Sequence, residues 1–466
     1  MKTQRVERPC LRALVLRAGD AAARFIADEA TRLDLSVVAG VAARPSVERL
    51  RGKTVLLALA RQVDTAAALI ELDGVARRIV LWPHDLPIGR MDGVIKAAEV
   101  DFAISVWPPL EPDSGDGVFT IRAAPGPEEI DPPASEWVLF TSGTAGQPKM
   151  VVHTLDSLAG HLFSDAPPAM GPIWCTFYDI RRYGGLQILL RALIGPGSLV
   201  LSCPDETPGM FLARAAAAGA THFLGTPSHW RRALMTEEAG RISPAYVRLS
   251  GEVADQMILD KLRQSYGHAR IVHAFASTEA GLAFEVADGE AGFPAALVSQ
   301  PGAAADLRIL GHALQVRSRR NAIGYLDKRI NAIPDAEGFV DTGDIVELRG
   351  DRYYFAGRRD GTVNVGGQKV HPEEVEAVIN QHPAVEMSLV SARASPITGA
   401  IVVADVVCRP PGTAPSASPA DSARAMQSDI RDFCRARLAA HKVPAAIRIV
   451  PRLDIAPSGK LVRMRA

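Results

Sequence analysis

The sequence predicts an α/β fold: a large N-terminal domain of βαβ-type sheets with a small β-barrel-like region, followed by a small α+β C-terminal domain. Three observations lead there. Over roughly the first 250 residues, short apolar runs alternate with stretches of helical periodicity, the pattern of parallel strands joined by crossover helices. At residues 317–348 the pattern changes to short strands broken by Gly and Asp turns, as in a small barrel or antiparallel sheet. The last stretch, about a hundred residues, again mixes strands and helices and lies within ordinary domain size.

Taken in order, residues 14–15, 55–59, 79–82 and 102–106 read as strands, with 21–33 and 65–72 as helices between them. A turn-rich acidic stretch, 111–136, comes next. Residues 186–194 and 211–218 read as helices, and 198–201, 222–224 and 247–250 as strands. The boundary falls near Gly357-Arg358-Arg359-Asp360-Gly361, dividing the chain into 1–357 and 361–466. Beyond it, 372–381 opens with Pro and two Glu, which suits a helix N-terminus. Residues 385–391 and 400–407 read as strands, 427–439 as a helix, and the Pro/Ser/Ala-rich 409–419 as a loop.

The chain has 466 residues, with 52 Lys+Arg balancing 52 Asp+Glu. That neutrality argues against nucleic-acid binding, which calls for a basic face. A hydrophobic fraction of 47% supports a true core. The five cysteines are scattered without CxxC or CxH pairing, so neither a disulfide framework nor a zinc cluster is expected, and a reducing cytoplasm fits. No run approaches the ~18 apolar residues of a membrane span.

The most informative stretch is WVLFTSGTAGQPK, residues 137–149. A short apolar strand runs into hydroxyls (Thr141, Ser142, Thr144), two glycines (Gly143, Gly146) and Lys149. The glycines let successive N–H groups turn toward one point and form an anion nest. Hydroxyl donors and a mobile cation complete a polyphosphate cradle, although a plain surface turn has a similar composition. It is not a Walker loop, because Met150 follows the lysine where that motif has Ser or Thr.

Residues 140–149 resemble the signature of the adenylate-forming enzymes: acyl- and aryl-CoA synthetases, adenylation domains and luciferases. The usual second Thr is Ala145 here. Six further segments follow in that family's order. Leu249-Ser250-Gly251-Glu252 resembles the strand-end turn that borders acyl pocket and adenine. His273-Ala274-Phe275-Ala276-Ser277-Thr278-Glu279 resembles the second core motif, with Phe275 for the commoner Tyr and Ala276 for the commoner Gly. The resemblance implies that Phe275 stacks on adenine, Thr278 contacts the α-phosphate and Glu279 helps hold Mg²⁺, a hard cation that takes few protein ligands. Asp341-Thr342-Gly343-Asp344 is similar to the ribose motif, with Asp344 accepting from the ribose hydroxyls. Arg358 would reach the ribose too, and Asp360 would be the hinge of a mobile C-terminal domain, near 358–361. Gly366 and Gly367 would wall a thiol tunnel, and Pro457-Ser458-Gly459-Lys460 resembles the motif of the catalytic lysine. Residues 1–130 match this family poorly.

The resemblance implies ATP-dependent activation of a small-molecule carboxylic acid to an acyl-adenylate, then thioester formation. The cofactors implied are ATP, Mg²⁺ and CoA, or the phosphopantetheine of an acyl carrier protein acting in trans. A non-catalytic nucleotide-binding regulator is the reading of a different class; the retention of Lys460, Glu279 and Asp344 argues against it. Residues 174–186 occupy the place of an acyl-site motif, with Tyr178, Arg182 and Tyr183 as its candidate lining. Arg182 either pairs with a second acidic group of the substrate, as guanidinium does bidentately, or is a surface arginine contacting a carrier or phosphate. His153, His222 and His229 lie close to the motifs without metal-ligand spacing and read as packing or capping residues.

Overall fold

The computed structural model describes residues 9–18, 23–40, 45–107, 118–120, 134–141, 149–160, 162, 171–300, 305–327, 330, 333–395, 399–409, 419–454 and 461. Two large sheets dominate the N-terminal part. One has strand order Gly281–Val286, Arg270–Ser277, Tyr246–Ser250, His222–Gly225, Ile173–Thr176, Ser198–Leu201, Phe25–Ala27, Arg32–Asp34. The other runs Gly324–Tyr325, Met150–Thr154, Glu136–Phe140, Arg78–Leu81, Thr54–Leu57, Phe102–Ile104, Val118–Thr120. Both are parallel inside with antiparallel strands toward their edges. The βαβ alternation in the sequence is this arrangement.

The helices Gln62–Leu72 and Tyr183–Ile194 lie in one apolar core that takes side chains from both sheets, Leu57, Leu81 and Leu139 from one and Ile26, Leu199 and Leu224 from the other. Both helices are buried on nearly all sides, as a helix packed between two sheets is. Trp137 is fully buried there, its indole N–H donating to Asp73 Oδ1 at 2.9 Å.

A five-stranded antiparallel sheet follows, in the order Phe293–Pro294, Arg352–Arg358, Val340–Arg349, Ala313–Arg317, Asp306–Leu310. It is the barrel-like region expected from the sequence. The C-terminal part comprises the hairpin Val363–Val365/Gln368–Val370, the helices Pro372–Ile379 and Pro419–Arg435, and the three strands Val385–Ser395, Gly399–Cys408 and Ala446–Ile449. It has its own core of Val370, Val375, Ile379, Val390, Val406 and Ile430. No helix among the described residues is long and apolar enough to cross a membrane.

Two expected elements near the start are corrected. Residues 14–15 are not a strand but part of the helix Leu11–Arg17, which buries Leu11, Leu14 and Val15 on one face. Its first N–H is taken by the distant Asp73 carboxylate at 2.8 Å, a contact no local pattern announces. Over its described residues, 23–33, the helix expected at 21–33 does not form. Asp28 Oδ1 accepts from the N–H groups of Ala30 and Thr31, and this side-chain turn competes with helix. The flanking segment Phe25–Ala27 pairs in parallel with Ser198–Leu201, so tertiary pairing overrides a weak helical propensity. The loop expected at 409–419 lies almost wholly outside the described residues.

Candidate active site

Thr141, Gly251–Glu252 and Thr278–Glu279 directly follow strands of the two large sheets, the ends at which open α/β sheets bind ligands, whereas Asp344 and Arg358 lie on the antiparallel sheet. The strand Glu136–Phe140 delivers Thr141, and Thr141 N–H donates to Lys149 O at 3.1 Å. A hydrogen-bonded neck therefore closes the base of the phosphate-loop candidate. Ser142, Gly143, Thr144, Ala145 and Gly146 lie outside the described residues.

Lys149 and Glu279 are joined through a residue that the sequence analysis missed. Lys149 Nζ sits 5.1 Å from the centroid of the Tyr325 ring, and Tyr325 O–H donates to Glu279 Oε1 at 3.2 Å. Burial and the nearby Glu279 charge hold the Tyr325 phenol well above its usual range, so it stays a donor. Only its edge pairing with Val151 brings Tyr325 here, and nothing in its local sequence marks it. His153 is also placed beneath the site: fully buried, it reaches Thr278 O through Nε2 at 2.7 Å and Ser157 Oγ through Nδ1 at 3.0 Å. It is a packing residue, as expected, but one that ties the strand after the phosphate loop to the Thr278–Glu279 turn. Ser277 Oγ accepts from Ala280 N–H at 2.9 Å and closes that turn.

Among the described residues no cluster of three or more His, Cys, Asp or Glu could hold a metal. Glu279 is a single, partly exposed carboxylate. That donor set fits Mg²⁺, which prefers one or two carboxylates plus substrate phosphates, and fits zinc poorly.

Phe275 is half-buried in a near-parallel pile, 5.2 Å from Phe355 and 5.7 Å from Phe284. The pairing slips between Phe275 and Ala276, a bulge that changes the direction of the motif at that point. Phe355 lies on the strand Arg352–Arg358, so the pile connects the second core motif to the ribose candidates. Asp344 and Arg358 stand opposite in register, with Nη1 and Oδ1 3.6 Å apart. Thr342 Oγ1 accepts from Asp344 N–H at 3.1 Å and donates to Leu314 O at 2.8 Å.

Gly251 has φ +87°, a conformation that excludes most side chains. Glu252, expected at the nucleotide, uses its carboxylate otherwise: Oε2 accepts from Ser228 N–H at 2.9 Å in the first turn of the helix Pro227–Ala233. Its Oε1 accepts from Leu461 N–H at 3.2 Å. The residue directly after Lys460 thus docks at the strand-end turn, while Lys460 itself lies outside the described residues.

The acyl-site candidates are corrected in part. Tyr178 is buried, its hydroxyl donating to Ser250 O at 2.9 Å. Tyr183 is buried beside His153. Neither Arg181 nor Arg182 is a surface arginine. Arg181 is 2% exposed and binds Asp179 at 2.7 Å and Leu59 O at 2.7 Å. Arg182 pairs with Asp85 at 2.5 Å and donates to Phe140 O at 2.9 Å. Its guanidinium is already occupied by a carboxylate of the chain, because the loop after Arg78–Leu81 folds over it. Ala58, Trp82, His84, Asp85, Met91 and Arg181 are among the residues lining a cavity of about 340 Å³ at this point.

Gly366 and Gly367 have φ +58° and +87° and form the two-residue turn of the hairpin, the demand of a type I′ turn. Both are exposed. Asp360 falls in the short turn Arg359–Gly361; its side chain is outside the described residues.

His229 and His153 carry a pH prediction. His229 is half-buried and its Nδ1 accepts from Thr226 N–H at 3.2 Å; loss of hydration there lowers it from 6.5 to about 3. Burial lowers His153 from 6.5 to about 4. Both are neutral when folded, whereas the unfolded chain takes up protons from pH 6.5 downward. The stability that depends on their neutrality is therefore complete above pH 6.5 and is lost as the pH falls toward 4 and below. The urea midpoint is expected to drop between pH 7.5 and 5, less steeply in His229→Asn, which cannot titrate. Parallel profiles for the two proteins would overturn this.

The family model described as AMP-binding enzyme matches residues 50–326, over half of the chain, and that of the AMP-binding enzyme C-terminal domain matches 374–460. The chain belongs to the AMP-binding enzyme family. It is 27% identical over 371 residues to a p-hydroxybenzoic acid–AMP ligase of Mycobacterium tuberculosis, covering 73% of this chain and 50% of that protein. The chain thus spans about half the length of that relative. It is 27% identical over 373 residues to the 2-succinylbenzoate–CoA ligase of Salmonella typhimurium, covering 76% of each. Its fold is shared with a benzoate CoA ligase from Burkholderia xenovorans, with a TM-score of 0.77 at 20% identity over 97% of this chain and 99% of that one.

Proposed function

We propose that this protein activates a carboxylic acid with ATP to an acyl-adenylate and passes the acyl group to the thiol of CoA. One observation carries the reading: the tail at Leu461 docks on Glu252, bringing the segment that follows Lys460 to the strand ends that also present Thr141, Lys149 and Glu279.

A carboxylate is a poor electrophile, and coupling to AMP gives it a phosphate leaving group. Two anions must meet in line, so the protein's task is positioning and charge neutralisation. In this reading Thr141, Ser142, Gly143, Thr144, Gly146 and Lys149 hold the β- and γ-phosphates, and Thr278 the α-phosphate. The exposed part of Phe275 meets adenine beside Gly251, Ala276 and Ser277, and Asp344 with Arg358 holds the ribose. Lys460 bridges the carboxylate and the α-phosphate. Glu279, oriented by Tyr325, would hold Mg²⁺, which supplies charge neutralisation at the phosphates. No general base is needed, because the acid is ionised at neutral pH. For the second step the C-terminal domain turns about Asp360 and the Gly366–Gly367 turn becomes a wall for the thiol.

The relatives named for p-hydroxybenzoate, 2-succinylbenzoate and benzoate support an aromatic acid as substrate. The test is ATP–pyrophosphate exchange over aryl and alkyl acids, followed by thioester formation with CoA against a holo carrier protein. Exchange with no acid would overturn the reading, and transfer to the carrier alone would replace CoA as acceptor.

Because Asp85 already neutralises Arg182, the Arg182→Ala variant is expected to leave the ratio of activities on mono- and dicarboxylic acids unchanged. It should lose about 3 kcal/mol of stability, since a part-buried carboxylate is left without its cation. A changed ratio, with the melting temperature preserved, would restore Arg182 as a substrate contact.

A further inference from the structure

The C-terminal domain is held to the N-terminal one through a feature that the catalytic reading does not use. In the strand Val385–Ser395, Val385 pairs with Cys408 and Met387 with Val407, so Glu386 is left out of the ladder as a bulge. A bulge frees a backbone group and re-aims a side chain. Both freed groups point at the other domain. Glu386 Oε1 accepts from Lys261 Nζ at 2.6 Å, and its backbone O accepts from Arg231 Nη1 at 3.4 Å. The second carboxylate oxygen pairs with Arg409 Nε, of its own domain, at 3.3 Å.

A second carboxylate makes the return contact. Asp255 Oδ2 binds Arg231 Nη2 at 2.5 Å and Asn380 Nδ2 at 3.3 Å. Asn380 is fixed in turn by Ser388 O–H, which donates to its Oδ1 at 2.8 Å. Glu386 is 5% exposed and Arg231 6% exposed, so salt screens this cluster weakly. Removing one member strands the others' charges in a poorly hydrated interface.

Its position gives the cluster a role. Arg231 lies in the helix Pro227–Ala233, whose first turn is held by Glu252. Lys261 lies in the helix Gln256–Ser265, whose N-terminus is capped by Asp255 Oδ1 at 3.1 Å from Ile258 N. The same two helices flank the Ser250–Gly251–Glu252 turn that receives Leu461. The bulge contact and the tail contact are therefore two attachments of the small domain to one rigid pair of helices.

We propose that Glu386 is a positioning residue for acyl-adenylate formation: with Lys261 and Arg231 it clamps the C-terminal domain in the arrangement that brings the tail at Leu461 to Glu252. The proposal rests on the function read above, and it assigns Glu386 to the first half-reaction alone. Such a clamp favours one domain arrangement without touching substrate.

The test uses the full chain with Glu386→Gln and Lys261→Met, which keep side-chain size while removing charge. ATP–pyrophosphate exchange is expected to fall at least about thirtyfold in kcat, as for loss of one partner of a desolvated pair, with KM for ATP unchanged. Thioester formation from supplied acyl-adenylate should stay at the wild-type rate, and Lys261→Arg should recover most of the exchange. Equal loss in both half-reactions, or no loss in either, would overturn the proposal. Small-angle scattering gives a readout independent of the chemistry: the clamp requires a larger radius of gyration in Glu386→Gln than in the wild type. If the wild type catalyses no exchange but the radius grows as stated, the functional reading fails while the clamp stands. An unchanged radius removes the clamp.

Discussion

Replacing Lys460 with Ala is expected to lower the rate of acyl-adenylate formation by a factor on the order of 10² to 10³, the cost of about 3 to 4 kcal/mol for losing one preorganised donor at a developing charge. The physical reason is that both reactants are anions. Without a cation between them, the approach of carboxylate to α-phosphate is opposed by their charge repulsion. The anchoring of the next residue, Leu461, to Glu252 at 3.2 Å gives the lysine a defined place to act from, and that backbone hydrogen bond survives the substitution. The second half-reaction has different needs, because the acyl-adenylate already carries its leaving group. Thioester formation from supplied acyl-adenylate is therefore expected within a few-fold of wild type. Single-turnover measurement of both steps decides the matter, and equal losses in the two would contradict a lysine that serves only one of them.

Asp344→Ala is expected to raise KM for ATP on the order of 100-fold while leaving kcat near the wild-type value. Hydrogen bonds to a charged acceptor contribute about 1.5–3 kcal/mol each, and the carboxylate is read as accepting two from the ribose. Asp344 is well placed for this: its backbone is fixed by Thr342, and Arg358 stands 3.6 Å from it across the strand pair. A nucleotide comparison isolates the contact. The wild type should discriminate against 2′-deoxy- and 3′-deoxy-ATP, and the Ala variant should not, having nothing left for the missing hydroxyl to bind. Asp344→Asn, which retains an acceptor, should fall between the two. Undiminished discrimination in Asp344→Ala would move the ribose elsewhere.

The candidate site segments stand out in the sequence because each depends on residues close together in the chain. Hydroxyls, two glycines and a lysine within 141–149, or Asp-Thr-Gly-Asp at 341–344, form a local pattern whatever surrounds them. The strands Thr54–Leu57, Arg78–Leu81 and Ser198–Leu201 were legible for a similar reason: strands buried on both faces are continuous apolar runs. The start of the chain was misread. Leu11–Arg17 and Phe25–Ala27 are short, and their states are chosen by Asp73 and by Ser198–Leu201, far away in sequence.

The same distinction separates the parts of the site. Tyr325 has no motif around it and joins Lys149 to Glu279 only because a two-residue strand pairs at the sheet edge. Arg182 looked available in sequence and is paired because Asp85 folds against it from 97 residues away. Glu252 matched a nucleotide-border motif and is occupied by a helix N-terminus and the tail.

By itself, then, the sequence determined the α/β architecture and the family, and marked out the candidate groups of the proposed site, since these follow from periodicity and from short runs of polar and charged side chains. Tertiary structure alone decided which of those groups are engaged by the chain itself, which serve as supports, and that a bulged Glu386 binds one domain to the other. Burial, ion pairing and ladder register arise only when distant segments are brought together, so no stretch of the chain carries them in advance.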